Sequence, residues 1–156
     1  MIPVHAPLFL PDPDETDMLA ARFARGVGAG DVLLLEGQIG AGKTHFARAL
    51  IRALMGRNED VPSPTFTLVQ AYDAPGVEIW HADLYRLSHP DEAIELGLHD
   101  AFETALCLIE WPDRLGDDAP KQALTLRFSP RDEGREVAFL SDDPRWEGRL
   151  GAMLDV

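Results

Sequence analysis

Cysteine occurs once and lysine twice in these 156 residues. Cys107 alone can form neither an internal disulfide nor a multi-cysteine zinc site, and a reducing cytoplasmic setting is expected. Long apolar runs are also missing. The clearest, Val32 to Leu35 and Ala105 to Ile109, are far too short to span a bilayer, so no membrane role is expected. Met1-Ile2-Pro3-Val4-His5 lacks a basic region followed by an apolar stretch, and no secretory signal is read there. Basic charge is scarce as well: Lys plus Arg total 14 against 27 for Asp plus Glu, a formal net charge of −13. Phosphate backbones repel such a chain. Strong direct binding to DNA or RNA is disfavoured, although a few local cations suffice for a single nucleotide.

The balance that remains, 46% apolar and 26% charged residues, describes a soluble globular chain with a sizeable core. The length fits one domain over residues 1–156. Asp12-Pro13-Asp14-Glu15-Thr16 predicts a helix start, its acids suited to the positive end of the helix dipole, and Leu19, Phe23 and Val27 form the apolar stripe that follows. Val32-Leu33-Leu34-Leu35 reads as a strand buried on both faces. A second helix from Gly42 carries Phe46, Leu50, Ile51 and Leu54 on one side. Thr65 to Tyr72 and Val77 to Asp83 predict a hairpin around Asp73-Ala74-Pro75-Gly76, and Pro90 to Leu96 a short helix. Ala105 to Ile109 predicts a second buried strand. Leu124, Leu126 and Phe128, then Val137 and Phe139, predict a C-terminal hairpin turning at Ser129 to Gly134. A last helix groups Trp146, Leu150, Met153 and Leu154. Interleaved strands and helices followed by hairpins give an α/β class with a mixed central sheet.

The chemistry is concentrated in Gly37-Gln38-Ile39-Gly40-Ala41-Gly42-Lys43-Thr44, which fits the phosphate-binding pattern G-x-x-x-x-G-K-[ST] between a buried strand and an amphipathic helix. The glycines let successive N–H groups curl toward phosphate oxygens, and the helix N-terminus adds partial positive charge. Lys43 is suited to the β and γ phosphates and the Thr44 hydroxyl to Mg²⁺. Such a loop needs an acidic partner at the end of a neighbouring strand. Glu110 and Asp83 both stand at such ends, and spacing leaves open which of them meets the metal. His81, two residues before Asp83, reads as structural, Trp111 as packing and Cys107 as a small core residue.

Further blocks follow the loop: Ser63-Pro64-Thr65-Phe66-Thr67-Leu68-Val69, His81-Ala82-Asp83-Leu84-Tyr85-Arg86-Leu87, Glu95-Leu96-Gly97 and Ile109-Glu110-Trp111-Pro112. Their order is that of the TsaE (YjeE) family, which the chain resembles from about Leu10 to Glu136. The resemblance implies a three-layer P-loop NTPase-like sandwich and an ATPase required for N6-threonylcarbamoyladenosine at adenosine 37 of tRNAs reading ANN codons. It implies ATP and Mg²⁺ as cofactors and the TsaB–TsaD heterodimer as partner, with tRNA reached only through that complex. Residue by residue, it implies that Gly37 and Gly40 through His45 (Gly40, Ala41, Gly42, Lys43, Thr44, His45) wrap the phosphates. Thr44 and Glu110 would ligate Mg²⁺. Thr65 would approach the γ-phosphate from a switch-like segment, Asp83 would be the second essential acid, and Pro13 and Arg135 would lie beside the nucleotide. His45 and Gln38 depart from a common threonine and a common acidic residue, at positions where the loop contributes mainly backbone N–H. Two other classes fit the loop alone: a stand-alone kinase, and a non-hydrolysing adaptor shaped by its nucleotide.

Overall fold

The computed structural model describes residues 1–56 and 68–155. In chain order the elements are β1 (Ile2–Leu10), α1 (Pro13–Ala24), β2 (Val32–Glu36), α2 (Lys43–Met55), β3 (Val69–Ala74), β4 (Val77–Asp83), α3 (Asp91–Glu95), α4 (Leu98–Thr104), β5 (Leu106–Glu110), a 3₁₀ segment (Pro112–Asp118), β6 (Leu124–Arg131), β7 (Gly134–Ser141) and α5 (Arg145–Leu154). Local chemistry sets several boundaries. Asp12 caps α1 by accepting the Glu15 N–H at 3.0 Å, and Pro13 opens the helix. Pro75-Gly76 alone connects β3 to β4.

The strands form one sheet in the order β1-β7-β6-β2-β5-β4-β3. β6, β2, β5 and β4 run parallel, while β7, β1 and β3 join antiparallel at the two sides. Because side chains alternate along a strand, β2 sends Leu33 and Leu35 to one face and Val32 and Leu34 to the other. β5 divides likewise, with Leu106 and Leu108 opposite Cys107 and Ile109. The first face is covered by α1, α2 and α5, the second by α3, α4 and the 3₁₀ segment, giving three layers. In the first core, Phe23 meets Phe46 edge-on at 5.5 Å and stacks on Phe139 at 6.2 Å, while Phe46 lies 5.8 Å from Phe128. These rings lock α1 and α2 against β6 and β7, which fixes the start of α2 over the sheet.

Several features depart from the sequence reading. β1 was not expected: Pro3 and Pro7 break the alternation, and its pairing with β7 shifts register between Pro3 and His5 and again between His5 and Leu8. α4 and the 3₁₀ segment were also missed. The C-terminal turn is tighter than Ser129 to Gly134, because β6 continues through Pro130 and leaves only Asp132-Glu133 between the strands. β3 begins at Val69, and the expected strand residues Thr65 to Thr67 lie outside the described residues. Among the described residues no helix is long and apolar enough to cross a membrane.

Candidate functional site

Open α/β sheets gather ligands at the carboxyl ends of their parallel strands, and here β2, β5 and β4 end side by side. β2 runs into the loop Gly37–Gly42 and then α2. Gly37 has φ 145°, and a Cβ there would stand 2.6 Å from the Phe128 carbonyl oxygen, so the loop passes β6 at a distance only glycine permits. The Ala41 N–H donates to the Gln38 carbonyl at 3.0 Å and closes the turn. Gly42 supplies no side-chain cap to α2, and the first turn of the helix has no acidic residue. The N-terminus of α2 therefore has no cap and no acid of its own where the loop opens.

Lys43 is the first residue of α2 and is only 4% exposed. Its Nζ donates to the Gly37 carbonyl at 2.6 Å and lies 3.5 Å from the centre of the Trp111 ring. Burial pulls the lysine pKa below its usual value, and the negative charges of Glu110, Asp83 and Asp113 oppose that pull without cancelling it.

Strand alternation decides which acids join it. Glu110 follows Leu106 and Leu108 on the α2-covered face of β5, and His81 and Asp83 follow Ile79 on the same face of β4. Asp83 and Glu110 are opposite one another in the β4–β5 register. Glu110 is 2% exposed. Its Oε1 accepts the Thr44 hydroxyl at 2.6 Å, and its Oε2 is 2.7 Å from His81 Nε2. A carboxylate only accepts, so the proton of this second bond sits on Nε2. Burial opposes ionisation of Glu110, but the His81 bond and charge, the Thr44 bond and the nearby Lys43 together hold its carboxyl below the usual range. Asp83 is more open, and its Oδ1 accepts the Tyr85 N–H at 3.0 Å.

Cavities flank the loop on both sides. One, about 540 Å³, includes Pro13, Gly40, Gly42, His45, Gly134 and Arg135 in its lining. The other, about 300 Å³, includes Lys43, Thr44, Asp83, Arg86, Glu110 and Trp111. Gly40, Lys43 and Thr44 border both. Arg135 Nη2 donates to the Gly40 carbonyl at 2.8 Å, and His45 Nε2 lies 2.8 Å from Asp17 Oδ1, tying α2 to α1. Among the described residues no three His, Cys, Asp or Glu side chains are grouped to hold a metal by themselves. Glu110 and the Thr44 hydroxyl offer oxygen donors beside the loop, a pair suited to a hard cation that takes its remaining ligands from phosphate and water.

Two residues do more than the sequence implied. His81, read as structural, bonds the buried acid; the signal is that His81 and Glu110 face the same side of the paired strands two positions apart in register, visible only once β4 and β5 pair. Trp111 packs as expected but also covers the lysine, from a left-handed backbone with φ 58°. Thr65 lies outside the described residues.

A sheet whose central strand enters a glycine loop and leaves it as a helix, with a neighbouring strand carrying a carboxylate to that helix, has the P-loop NTPase fold. The crystal structure of Bacillus subtilis YdiB matches it with a TM-score of 0.80 at 29% identity, covering 95% of this chain and 93% of that one. The sequence profile described as "Threonylcarbamoyl adenosine biosynthesis protein TsaE" matches residues 10–137. The tRNA threonylcarbamoyladenosine biosynthesis proteins TsaE of Bacillus subtilis and Rickettsia conorii are 36% and 34% identical, over 87% and 91% of this chain and 85% and 91% of theirs. The chain belongs to the TsaE family, a family of tRNA threonylcarbamoyladenosine biosynthesis.

Proposed function

We propose that this protein is a cytoplasmic Mg²⁺-dependent ATPase that serves the TsaB–TsaD heterodimer during threonylcarbamoylation of tRNA. The observation that carries the proposal is the Thr44–Glu110 hydrogen bond beneath an uncapped helix N-terminus, with Lys43 buried beside it. In this reading the loop N–H groups and the Lys43 ammonium bind the β and γ phosphates. Lys43 exchanges its bond to the Gly37 carbonyl for phosphate oxygens, which relieves the desolvation of its charge. Thr44 and Glu110 would hold Mg²⁺, which would supply neutralisation of phosphate charge. Asp83, at the more open strand end, would orient an attacking water. The larger cavity, beside Pro13 and Arg135, takes the nucleoside.

The net charge of −13 supports a division of labour in which the partner proteins carry the tRNA. Phosphate release is to be measured with the protein alone and with purified TsaB–TsaD. Slow release that the heterodimer accelerates supports the proposal. Equal rates with and without it overturn the partnership. Transfer of phosphate to an added small acceptor would point to a kinase, and no release under any condition to a nucleotide-dependent adaptor.

A further inference from the structure

We propose that His81 is the positioning residue of Glu110: its Nε2–H fixes Oε2 of the carboxylate and so dedicates Oε1 to Thr44 and the cation. This deepens the proposed function and rests on the assignment of Glu110 to a metal.

The geometry divides the two oxygens of one carboxylate between two donors. Oε2 meets His81 Nε2 at 2.7 Å, and Oε1 meets the Thr44 hydroxyl at 2.6 Å. A glutamate with only one of these bonds could rotate about its last torsion and present either oxygen, since terminal sp³–sp² torsions are broad. With both, the plane of the carboxylate is set. His81 is itself immobilised, being fully buried on a strand paired on both sides. Its other ring nitrogen, Nδ1, is buried and has no hydrogen-bond partner among the described residues. As filling for an apolar core, an imidazole with an orphaned nitrogen is inferior to leucine. Its polarity is directed at one atom, Oε2 of Glu110. Partners of this kind behind a metal-binding carboxylate orient it and raise its affinity for the ion.

The two amide replacements separate positioning from packing. A glutamine amide nitrogen reaches the place of imidazole Nε2, whereas that of asparagine reaches only the place of Nδ1, where no described residue offers a partner. His81→Gln, His81→Asn and His81→Leu are therefore compared in the full chain with ADP bound, by titrating Mn²⁺ and reading the free ion by electron paramagnetic resonance. Thermal unfolding and ADP affinity in EDTA are measured alongside. His81→Leu and His81→Asn should weaken Mn²⁺ about tenfold or more. His81→Gln should remain within about threefold of the parent, because it keeps the donor. Metal-free ADP affinity should be unchanged in all three. Parental Mn²⁺ affinity in His81→Leu would overturn this inference alone. So would a loss in all three variants that tracks their unfolding temperatures and metal-free ADP affinities. A parent protein that takes up no Mn²⁺ beyond what ADP itself binds would instead overturn the metal assignment of Glu110, and the inference with it.

Discussion

Replacing Gly37 by alanine should damage the loop far more than the same change at Gly40, three residues on. Both glycines have positive φ, 145° at Gly37 and 81° at Gly40. A Cβ on Gly40 would meet nothing within 4 Å. On Gly37 it would lie 2.6 Å from the Phe128 carbonyl oxygen and 3.1 Å from the Ala41 Cβ. The Gly40 change therefore costs about 1–2 kcal/mol for the left-handed backbone alone. The Gly37 change adds overpacking against a rigid strand, about 1–3 kcal/mol more. The lower unfolded-state entropy of alanine favours both variants equally and drops out of the comparison. A difference of about 2 kcal/mol corresponds to a urea midpoint roughly 1 M lower for Gly37→Ala at ordinary m-values. Neither loss exceeds the usual stability of about 5–15 kcal/mol, so both proteins should fold at room temperature and the nucleotide-free forms can be compared directly. Because the Gly37 carbonyl accepts the Lys43 ammonium, any shift that relieves the overlap also moves the lysine, and nucleotide affinity should fall with stability. Equal midpoints for the two variants would refute the close approach of the loop to β6.

Other substitutions test separate parts of the account. Glu110→Gln keeps the shape but not the charge of the buried acid, so phosphate release should be lost and the Mg²⁺ dependence shifted; full activity with an unchanged Mg²⁺ titration would return Glu110 to an ordinary strand-end residue. Burial lowers the His5 pKa, but its bonds to Asp155 and the Ala6 carbonyl, at 2.8 and 2.7 Å, win and raise it above 6.5. Its contribution to stability is therefore full below pH 6.5 and lost as pH rises through the raised value. Denaturant midpoints across that range should fall in the parent and flatten in His5→Gln; parallel profiles would contradict the assignment. Filter binding at physiological salt should show no tight tRNA complex with this chain alone, and a submicromolar, salt-sensitive complex would reverse the division of labour.

Much of the fold was legible where neighbouring residues decide the structure. The all-apolar runs that become β2 and β5 and the helix start at Asp12-Pro13 carry their signals locally, as does the hairpin at Asp73 to Gly76, although β3 runs through Ala74 and leaves only Pro75-Gly76 as the link. β1 was not legible. Its prolines hide the alternation, and β7, the partner that makes it a strand, lies more than a hundred residues away. α4 escaped because Gly97, which ends the expected short helix, also opens the next one. At the site, the loop motif and the strand-end acids stood out by residue type, and the pairing of β4 with β5 sets Asp83 and Glu110 opposite one another. The role of His81 depended on that register and on which face of each strand meets α2. A histidine in an apolar strand carries no such information in the sequence.

The central claim is that the loop binds ATP through Lys43, and calorimetric titration of ATP and Mg²⁺ into the parent protein and Lys43→Ala tests it most directly. In the free protein the ammonium is bonded to the Gly37 carbonyl, lies over Trp111, and is disfavoured by its burial, so its removal should leave the unfolding transition nearly unchanged. Against phosphates it supplies charge-assisted hydrogen bonds worth about 1.5–3 kcal/mol each, so affinity should fall about a hundredfold or become unmeasurable. A folded Lys43→Ala protein that binds ATP as tightly as the parent would contradict the claim.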